Sequence, residues 1–463
     1  MTLIKSISGI RGTIGGIPED NLTPLDTVRF TAAYGMYVKQ SIGTNLPRIV
    51  VGRDARISGE MLQSLVVQTL VGMGFEVIDL GLSTTPTVAM HVMHENADGG
   101  IILTASHNPK EWNALKLLNP QGEFLDATAG EEILSIAAAN QFDFAGVDQL
   151  GSVTCITNAI QSHIDAVLAH PFVDVAGIRS GSFTVVVDGV NSVGGIAIPA
   201  LLHALGVKAI PIHCEPNGNF PHNPEPLKEH LTDLSAKVQN SKADFGIAVD
   251  PDVDRLAFVD EQGEMFGEEY TLVACADYVL SREPGNTVSN LSSTRALRDI
   301  TEATGGTYYA SAVGEVNVVE QMKATNAVIG GEGNGGVIDP KLHYGRDAFI
   351  GVALFLSLLV EKKCTVSQLK AGYPQYFMAK GKIELQPAMD VTLLLSAIEK
   401  RYAKDNPLTI DGVKIDFLTG WVHLRKSNTE PIIRVYAEAK SQDEADQLTA
   451  QFIKELMDLA AKL

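Results

Sequence analysis

The chain has 463 residues, of which 45% are hydrophobic, and a formal net charge of −19. This length allows about three domains with substantial cores, and the acidic balance argues against nucleic acid or an anionic membrane as a partner. The four cysteines lie far apart and form neither a metal-binding nor a disulfide spacing, which suits a reducing cytosol. The N-terminal residues lack a signal-peptide core, and no apolar stretch is long enough to span a membrane. We therefore expect a cytoplasmic protein.

Short apolar strands alternate with amphipathic helices along most of the chain. Strands are predicted at 48–51, 183–187 and 244–249, and the first two precede predicted helices at 61–72 and 196–205. This recurrence predicts an α/β fold of three related domains with functional residues at the strand ends.

From about residue 370 the order changes to strands first and then a closing helix at 443–463, which predicts a smaller α+β domain. The predicted domains are 1–147, 148–253, 254–369 and 370–463.

A serine stands in a turn directly after the apolar run at 100–103. Residues 104–109 read TASHNP, and the residue before Pro109 is pushed towards extended geometry, so the chain does not continue as a helix. Ser106 is thus predicted on an exposed turn at the carboxyl edge of a sheet. His107 beside it could accept a hydroxyl proton or bind a phosphate. Ordinary turn chemistry explains the same residues equally well.

Three aspartates alternate in residues 250–255 (DPDVDR), directly after an apolar strand. Asp250, Asp252 and Asp254 can converge on one hard cation, and oxygen ligands suit Mg²⁺. A solvated acidic turn is the simpler interpretation. A calcium loop of the EF-hand type is disfavoured, because Arg255 stands where that loop needs glycine and a strand precedes it rather than a helix.

Two further loops carry candidate binding residues. Residues 330–336 (GGEGNGG) let the backbone approach a ligand closely, and Glu332 and Asn334 offer hydrogen bonds to hydroxyl groups, although the Lys-Ser/Thr ending of a P-loop is missing. Residues 425–431 (RKSNTEP) precede a strand that carries Arg434, and their basic, hydroxyl and backbone amide groups predict an anion cradle. A charged hairpin loop is the alternative for the second segment.

In this order, the four loops resemble the α-D-phosphohexomutase superfamily over essentially the whole chain. TASHNP resembles its phosphoserine loop, DPDVDR its Mg²⁺ loop, GEGNGG its sugar-recognition loop and RKSNTEP its phosphate-binding loop. The segments 8–12, 52–56, 113–116 and 313–315 are similar to other parts of the family. The resemblance implies three related α/β domains and a smaller C-terminal domain around a central cleft.

The resemblance also implies an activity, the interconversion of hexose 6-phosphate and hexose 1-phosphate through a phosphoserine and a bisphosphorylated sugar. It implies that Ser106 carries the phosphoryl group, that Lys116 is the acid/base and that Arg11 lies in the active site with His107. Mg²⁺ would be held by Ser106 and the three aspartates, and a hexose 1,6-bisphosphate would prime the enzyme. The implied substrate-binding residues are Arg255, Glu332, Asn334, Arg425, Ser427, Asn428, Thr429 and Arg434. We expect a monomer or a homodimer.

One position departs from the family pattern. Several bacterial subfamilies carry a histidine where this chain has Gly336, and His343 is a candidate replacement, although a surface loop explains it as well. The GEGNGG form resembles an archaeal-type branch and favours phosphoglucosamine mutase, with phosphoglucomutase/phosphomannomutase as the alternative. A Mg²⁺-dependent sugar phosphatase is less favoured because it needs no second phosphate cradle. A sugar-phosphate sensor is less favoured because Ser106 and all three aspartates are present.

Overall fold

The computed structural model describes residues 2–6, 9–41, 46–386, 389–427 and 431–461. Three α/β domains and a smaller C-terminal α+β domain follow one another along these residues, and the fold class predicted from the sequence is confirmed. None of the helices in these ranges combines the length and apolar character needed to cross a membrane.

The first domain is built on a mixed sheet in the order β1-β2-β6-β5-β3-β4-β7. Its strands and helices are β1 Ile4–Ser6, β2 Gly9–Thr13, α1 Pro24–Ser41, β3 Arg48–Arg53, α2 Gly59–Gly72, β4 Glu76–Leu82, α3 Thr85–His94, β5 Gly99–Leu103, β6 Trp112–Leu118, α4 Ala127–Ala139 and β7 Ser152–Cys155. β3 pairs in parallel with β4 and β5, whereas β5 and β6 are antiparallel. All of β5 is buried, as expected for a central strand covered on both faces.

The second domain contains a sheet in the order β11-β10-β8-β9. Its elements are α5 Ala159–Leu168, α6 Val175–Gly181, β8 Thr184–Asp188, α7 Gly194–Ala204, β9 Lys208–Ile212, α8 Thr232–Ser241, β10 Phe245–Val249 and β11 Leu256–Val259.

The third domain repeats the same arrangement in the order β13-β12-β14-β15. Its elements are α9 Glu268–Arg282, β12 Asn286–Asn290, α10 Ala296–Ala303, β13 Tyr308–Ser311, α11 Glu315–Thr325, β14 Ala327–Glu332, β15 Gly336–Ile338, α12 Ala348–Lys362 and α13 Val366–Ala371.

The three domains share one unit of four strands. In each unit the first strand pairs in parallel with the second and third, and the third pairs antiparallel with the fourth. The third strands are β5, β10 and β14. The residues at or just after their carboxyl ends are the serine turn, the first aspartate of the metal loop and Glu332. The repeat therefore places the three predicted site loops at equivalent positions.

The fourth domain is an antiparallel sheet in the order β16-β19-β18-β17 with two helices. Its elements are β16 Phe377–Glu384, α14 Val391–Arg401, β17 Val413–Asp416, β18 Trp421–Lys426, β19 Ile432–Ala439 and α15 Gln442–Ala460. It docks on the third domain through buried Arg295, which donates to Asp416 Oδ1 at 2.8 Å and to the carbonyl of Gly420 at 2.8 Å.

Two sheets extend past the predicted domain boundaries. β7 lies after residue 147 and pairs in parallel with β4 of the first sheet. β11 lies after residue 253 and forms a hairpin with β10, so the metal loop is the turn of that hairpin. The second and third domains also share one hydrophobic core, in which Phe355 of α12 stacks on Phe258 with ring centroids 3.7 Å apart.

Candidate active site

Ser106 stands in a tight turn after β5 that is buried, not exposed as predicted, because the aspartate loop of the second domain packs against it. Its φ angle of 48° lies in the left-handed region, which a non-glycine residue adopts only when its surroundings hold it there. Its backbone N–H donates to Thr104 Oγ1 at 2.9 Å, and its hydroxyl donates to Asp250 Oδ2 at 2.6 Å. The predicted serine therefore contacts the predicted metal loop directly, across the boundary between two domains.

A buried arginine holds the serine turn in place. The Arg56 guanidinium donates to the carbonyls of Ser106, Asn108, Pro109 and Trp112 at 2.5–2.9 Å. Its charge is balanced by Asp54, whose Oδ2 lies 3.1 Å from Arg56 Nε and also accepts from Thr104. Segment 52–56 thus supports the serine turn through Asp54 and Arg56.

The three aspartates converge inside the turn between β10 and β11. One oxygen from each lies within 4.8 Å of the other two, and all three side chains are buried. Asp250 Oδ1 accepts the backbone N–H groups of Asp254 and Arg255, both at 3.1 Å, which fixes its orientation. Val253 in this turn has φ of 64°, a strained conformation for a β-branched residue.

The donor set fits a hard divalent cation. Asp252 Oδ1 and Asp254 Oδ1 are buried and have no hydrogen-bond partner among the described residues. A buried carboxylate oxygen without a partner is costly, and a cation bound between the aspartates would satisfy both atoms. Oxygen-only coordination suits Mg²⁺ better than metals that prefer nitrogen or sulfur ligands.

The aspartates are electrostatically unequal. Burial and the charges of Asp254 and Asp252 hold the pKa of Asp250 well above its usual value. Burial also opposes the charge on Asp254, but the cationic side chains of Arg346 and Lys116 outweigh it and lower the pKa of that carboxyl group. A cation bound between the aspartates would therefore stabilise the charged form of Asp250, which lies next to Ser106.

Lys116, on β6 of the first domain, reaches into the metal loop. Its Nζ lies 2.7 Å from Asp252 Oδ2 and 3.5 Å from Asp254 Oδ2. Although burial favours the neutral amine, these two carboxylates raise the pKa of Lys116, so it is protonated at neutral pH. Thr85, at the start of α3, also donates to Asp252 Oδ2 at 2.6 Å.

His107 is half-buried beside two arginines. Its Nδ1 lies 3.4 Å from Ser106 Oγ, too far for a strong hydrogen bond. The positive charge of Arg255 and burial, with further contributions from Arg11 and Arg346, hold the pKa of His107 well below its usual value. The cation of Arg255 likewise adds to burial in lowering the pKa of Arg11. A positive patch therefore adjoins the serine.

Arg346 connects the metal loop to the third domain, and sequence analysis did not identify it. Its guanidinium donates to Asp254 Oδ2 at 2.7 Å, to Glu315 Oε2 at 2.8 Å and to Glu332 Oε2 at 2.9 Å. The three carboxylates together keep the pKa of Arg346 well above its usual value despite its burial. The only local signal at Arg346 is that it directly precedes Asp347, the N-cap of α12, which indicates the start of a helix but not a role in the site.

The glycine-rich loop is partly strand. Glu332 ends β14 and is buried, and its Oε1 accepts from Asn290 at 2.7 Å and from the backbone of Gly314 at 3.1 Å. Asn334 Oδ1 accepts from Gly336 N at 3.2 Å and so closes its own turn. His343 is buried rather than on a surface loop, and its Nε2 lies 3.2 Å from Asp347 Oδ2.

The predicted anion cradle lies on the hairpin of β18 and β19. Arg425 and Arg434 are directly opposite each other in this hairpin, a like-charge pairing that destabilises a sheet unless an anion offsets it. Arg425 Nη1 lies 3.7 Å from Asp411 Oδ2, which accepts from the backbone of Val313 beside the sugar loop. Ser427 follows β18 and is buried, whereas Asn428 and Thr429 lie outside the described residues.

Comparison with known proteins identifies the family of this four-domain chain. Residues 4–144, 161–263 and 267–376 match the α/β/α domains I, II and III of phosphoglucomutase/phosphomannomutase, and residues 383–455 match its C-terminal domain. The chain therefore belongs to the phosphoglucomutase/phosphomannomutase family of phosphohexomutases.

Full-length relatives agree with this assignment. The chain is 36% identical to a phosphoglucomutase/phosphomannomutase from Thermococcus kodakarensis, over 98% of this chain and 97% of the relative. It is 33% identical to a probable phosphoglucosamine mutase from Methanopyrus kandleri, over 96% of each chain. A crystal structure of a phosphoglucomutase/phosphomannomutase family protein from Burkholderia thailandensis superposes with a TM-score of 0.85 at 25% identity, covering 99% of this chain and 98% of that one.

Replacement of Arg346 tests the connection between the second and third domains. Arg346→Met leaves Asp254 and two glutamates buried without their common cation, so we expect the free energy of unfolding to fall by about 3–5 kcal/mol. Chemical denaturation, monitored by hydrogen exchange of β10 and β14, measures this loss. The partly exposed Arg298→Met is the control, with a change within about 0.5 kcal/mol. Equal stability of the two variants would contradict the role assigned to Arg346.

Replacement of Asp252 tests the metal site. Asp252→Asn removes an anionic oxygen from the cluster and should weaken Mg²⁺ binding and activity together. Calorimetric titration of the chelated enzyme with Mg²⁺ measures the first effect. Asp446→Asn, on the exposed face of α15, should leave it unchanged. Wild-type Mg²⁺ affinity in Asp252→Asn would exclude the assigned site.

Proposed function

We propose that this chain interconverts hexose 6-phosphates and hexose 1-phosphates, with Ser106 as the phosphoryl carrier and a bisphosphorylated hexose as the intermediate. The observation that carries the proposal is the contact between Ser106 Oγ and Asp250 Oδ2 at 2.6 Å. It joins a nucleophile held by Arg56 to a cluster of carboxylates suited to a divalent cation.

Transfer of a phosphoryl group between two hydroxyls of one sugar needs a carrier that can both donate and accept that group. In the forward half-reaction the P–O bond to Ser106 breaks as a P–O bond to the free sugar hydroxyl forms. The sugar hydroxyl loses its proton and the serine oxygen gains one, so the half-reaction is balanced by a proton relay between the two oxygens. The bisphosphorylated sugar then reverses its orientation in the site, and its other phosphate is transferred to Ser106. Mg²⁺ bound by Asp250, Asp252 and Asp254 would supply charge neutralisation for the bridging oxygens.

Side chains around the serine can handle the proton. Lys116, protonated and next to Asp252, can donate a proton to the departing oxygen and then take the proton of the attacking hydroxyl. It is thereby protonated again at the end of each half-reaction. His107 is neutral at pH 7 because its pKa is lowered, so it can accept a hydrogen bond. Arg11 and Arg255 add positive charge where phosphate oxygens would lie.

The far phosphate has its own candidate binding site. Arg425 and Arg434 lie opposite each other, and a phosphate between them would offset their repulsion. Ser427 and, outside the described residues, Asn428 and Thr429 complete the proposed cradle. Since one cradle can hold either phosphate of the bisphosphate, both orientations of the sugar use the same residues. Glu332 and Asn334 are proposed to bind ring hydroxyls, and this requires Glu332 to share its oxygens with Asn290 and Arg346.

We favour glucosamine phosphate as the substrate, with glucose and mannose phosphates as the alternative. The GEGNGG loop and the relative named phosphoglucosamine mutase support the first, and the relative named phosphoglucomutase/phosphomannomutase supports the second. A coupled assay of the three 1-phosphates, with Mg²⁺ and a hexose 1,6-bisphosphate as primer, compares their kcat/KM values. Glucosamine 1-phosphate should give the highest value; a higher value for glucose or mannose would favour the alternative. The monomeric or homodimeric state and the cytoplasmic location remain predictions.

The phosphoserine can be detected directly. Intact-mass analysis of the purified enzyme, after incubation with a hexose bisphosphate, should show a fraction heavier by one phosphate, and Ser106→Ala should lack it. Ser152→Ala, on β7 away from the site, is the control and should retain it. Near-normal turnover by Ser106→Ala would rule out the serine carrier.

Replacement of Arg425 separates substrate binding from phosphorylation of the serine. Arg425→Ala removes a charge-assisted hydrogen bond to the far phosphate, at a cost of about 1.5–3 kcal/mol or about ten- to a hundredfold in affinity. We expect a higher KM and more free bisphosphate in a single-turnover quench, while high bisphosphate still phosphorylates Ser106. The exposed Lys454→Ala is the charge-matched control. Unchanged KM and no extra bisphosphate would show that the cradle lies elsewhere.

A further inference from the structure

A carboxylate and two histidines meet at the edge of the second sheet, outside the proposed active site. Asp188 ends β8 and is buried, His213 directly follows β9, and His222 lies in the following loop. Asp188 Oδ2 lies 3.0 Å from His213 Nδ1 and 3.1 Å from His222 Nε2. The three ligand atoms lie within 4.8 Å of one another, close enough to share one metal ion.

The outer nitrogen of His222 has a hydrogen-bond acceptor, and that of His213 faces a more distant carboxylate. His222 Nδ1 lies 2.8 Å from the carbonyl oxygen of Asn223, and His213 Nε2 lies 3.6 Å from Asp233 Oδ2. Metal-binding histidines characteristically donate this second N–H to a carbonyl or a carboxylate, which orients the ring and fixes the tautomer. When His222 Nδ1 carries the proton that it donates to Asn223, Nε2 presents a lone pair towards Asp188. A metal ion between Nε2 and Asp188 matches that arrangement without a second proton on the ring.

The same place in the other two repeats is used differently. Asp54, directly after β3, binds Thr104 of the serine turn, and Asn290, at the end of β12, binds Glu332 of the sugar loop. Asp188 is the equivalent residue of the second repeat, but its Oδ2 is directed to the two histidines and its Oδ1 accepts the N–H of Val190. Among the described residues, the side-chain partners of Asp188 are therefore the two histidines rather than the aspartate loop.

The histidine cluster adjoins the support of the serine turn. Phe220, two residues before His222, lies under the guanidinium of Arg56, with 5.0 Å between Arg56 Cζ and the ring centroid. Gly218 in the same loop has φ of 73° and packs so closely on Ala55 that a Cβ atom would lie 2.3 Å from its carbonyl oxygen. Whatever fixes the loop at His213 and His222 therefore also fixes the surroundings of Arg56.

We propose that Asp188, His213 and His222 bind a transition-metal ion of the Zn²⁺ type, and that this ion holds the loop 213–222 against Arg56. Two imidazole nitrogens and one carboxylate oxygen suit Zn²⁺ or Co²⁺, whereas Mg²⁺ prefers oxygen ligands alone. The chain would then have two sites of different chemistry, one oxygen-only and one with mixed ligands. Three protein ligands leave a fourth position for water.

The test uses the full-length enzyme, freed of metal by chelation and then saturated with Mg²⁺ to fill the aspartate site. Titration with Co²⁺ should add one equivalent with the visible absorption of imidazole-bound Co²⁺, and Zn²⁺ should displace it. His213→Gln and His222→Gln should each weaken Co²⁺ binding by about 10–100-fold or more. Removal of only the hydrogen-bond partner of a metal-binding histidine already costs this much affinity. His203→Gln, an exposed residue of α7, is the matched control, and Asp252→Asn should keep the Co²⁺ signal.

Hydrogen exchange provides a second readout, which tests the structural role of the ion. Zn²⁺ added to the Mg²⁺-saturated wild-type enzyme should slow exchange of the loop 213–222, and the two histidine variants should not respond. No Co²⁺ equivalent in the wild-type enzyme, or Co²⁺ binding unchanged in both histidine variants, would overturn the proposal and leave a metal-free ion pair of Asp188 with the two histidines. Exchange of the loop that does not respond to Zn²⁺ would overturn the structural role.

Discussion

The burial of three carboxylates at one sheet edge is the constraint on which the site depends. Asp250, Asp252 and Asp254 are fully buried, and uncompensated charges there would cost several kcal/mol each. Their cationic partners come from different domains, since Lys116 belongs to the first and Arg346 to the third. The charge balance of one turn is thus also a set of contacts that brings three domains together.

This arrangement explains how a chain of repeated domains forms an asymmetric site. The unit of four strands occurs three times, and each copy brings a different loop to the same place in its sheet. Ser106 and the aspartates follow β5 and β10, and Glu332 ends β14. The proposed nucleophile, the candidate cation site and the candidate sugar site thus differ in sequence but lie at the carboxyl ends of equivalent strands. The fourth domain, with another topology, brings the arginine pair. Its Asp411 accepts from the backbone of Val313, and the next residue, Gly314, donates to Glu332 of the glycine-rich loop.

Local sequence patterns predicted what depends on neighbouring residues. The apolar runs before Ser106 and Asp250 predicted β5 and β10, and the position of each polar residue at the strand end followed from the change in polarity. The aspartate cluster was also predictable, because alternate positions in a tight turn bring side chains together. The number of strands in each sheet was harder to predict, because β7 and β11 are defined by their pairing with strands earlier in the chain.

Residues that act over long sequence separations escaped prediction. Arg346 contacts Asp254 across 92 positions, and its local sequence marks only the start of a helix. Arg425 and Arg434 lie opposite each other because of the hairpin register. Asp188 meets His213 and His222 because β8 and β9 are neighbours in the sheet. His343 was ambiguous for the same reason, because its burial against Asp347 comes from packing with α5 and α12.

Transfer of label from the phosphorylated enzyme tests the central claim most directly. Enzyme carrying radiolabelled phosphate is mixed with an excess of unlabelled hexose 6-phosphate and quenched at times shorter than one turnover. The account predicts that the label passes first into a hexose bisphosphate and then into hexose 1-phosphate, at the rate of turnover. Label released as inorganic phosphate, or label that stays on the enzyme while product accumulates, would contradict a site in which Ser106 carries the phosphoryl group between two positions of one sugar.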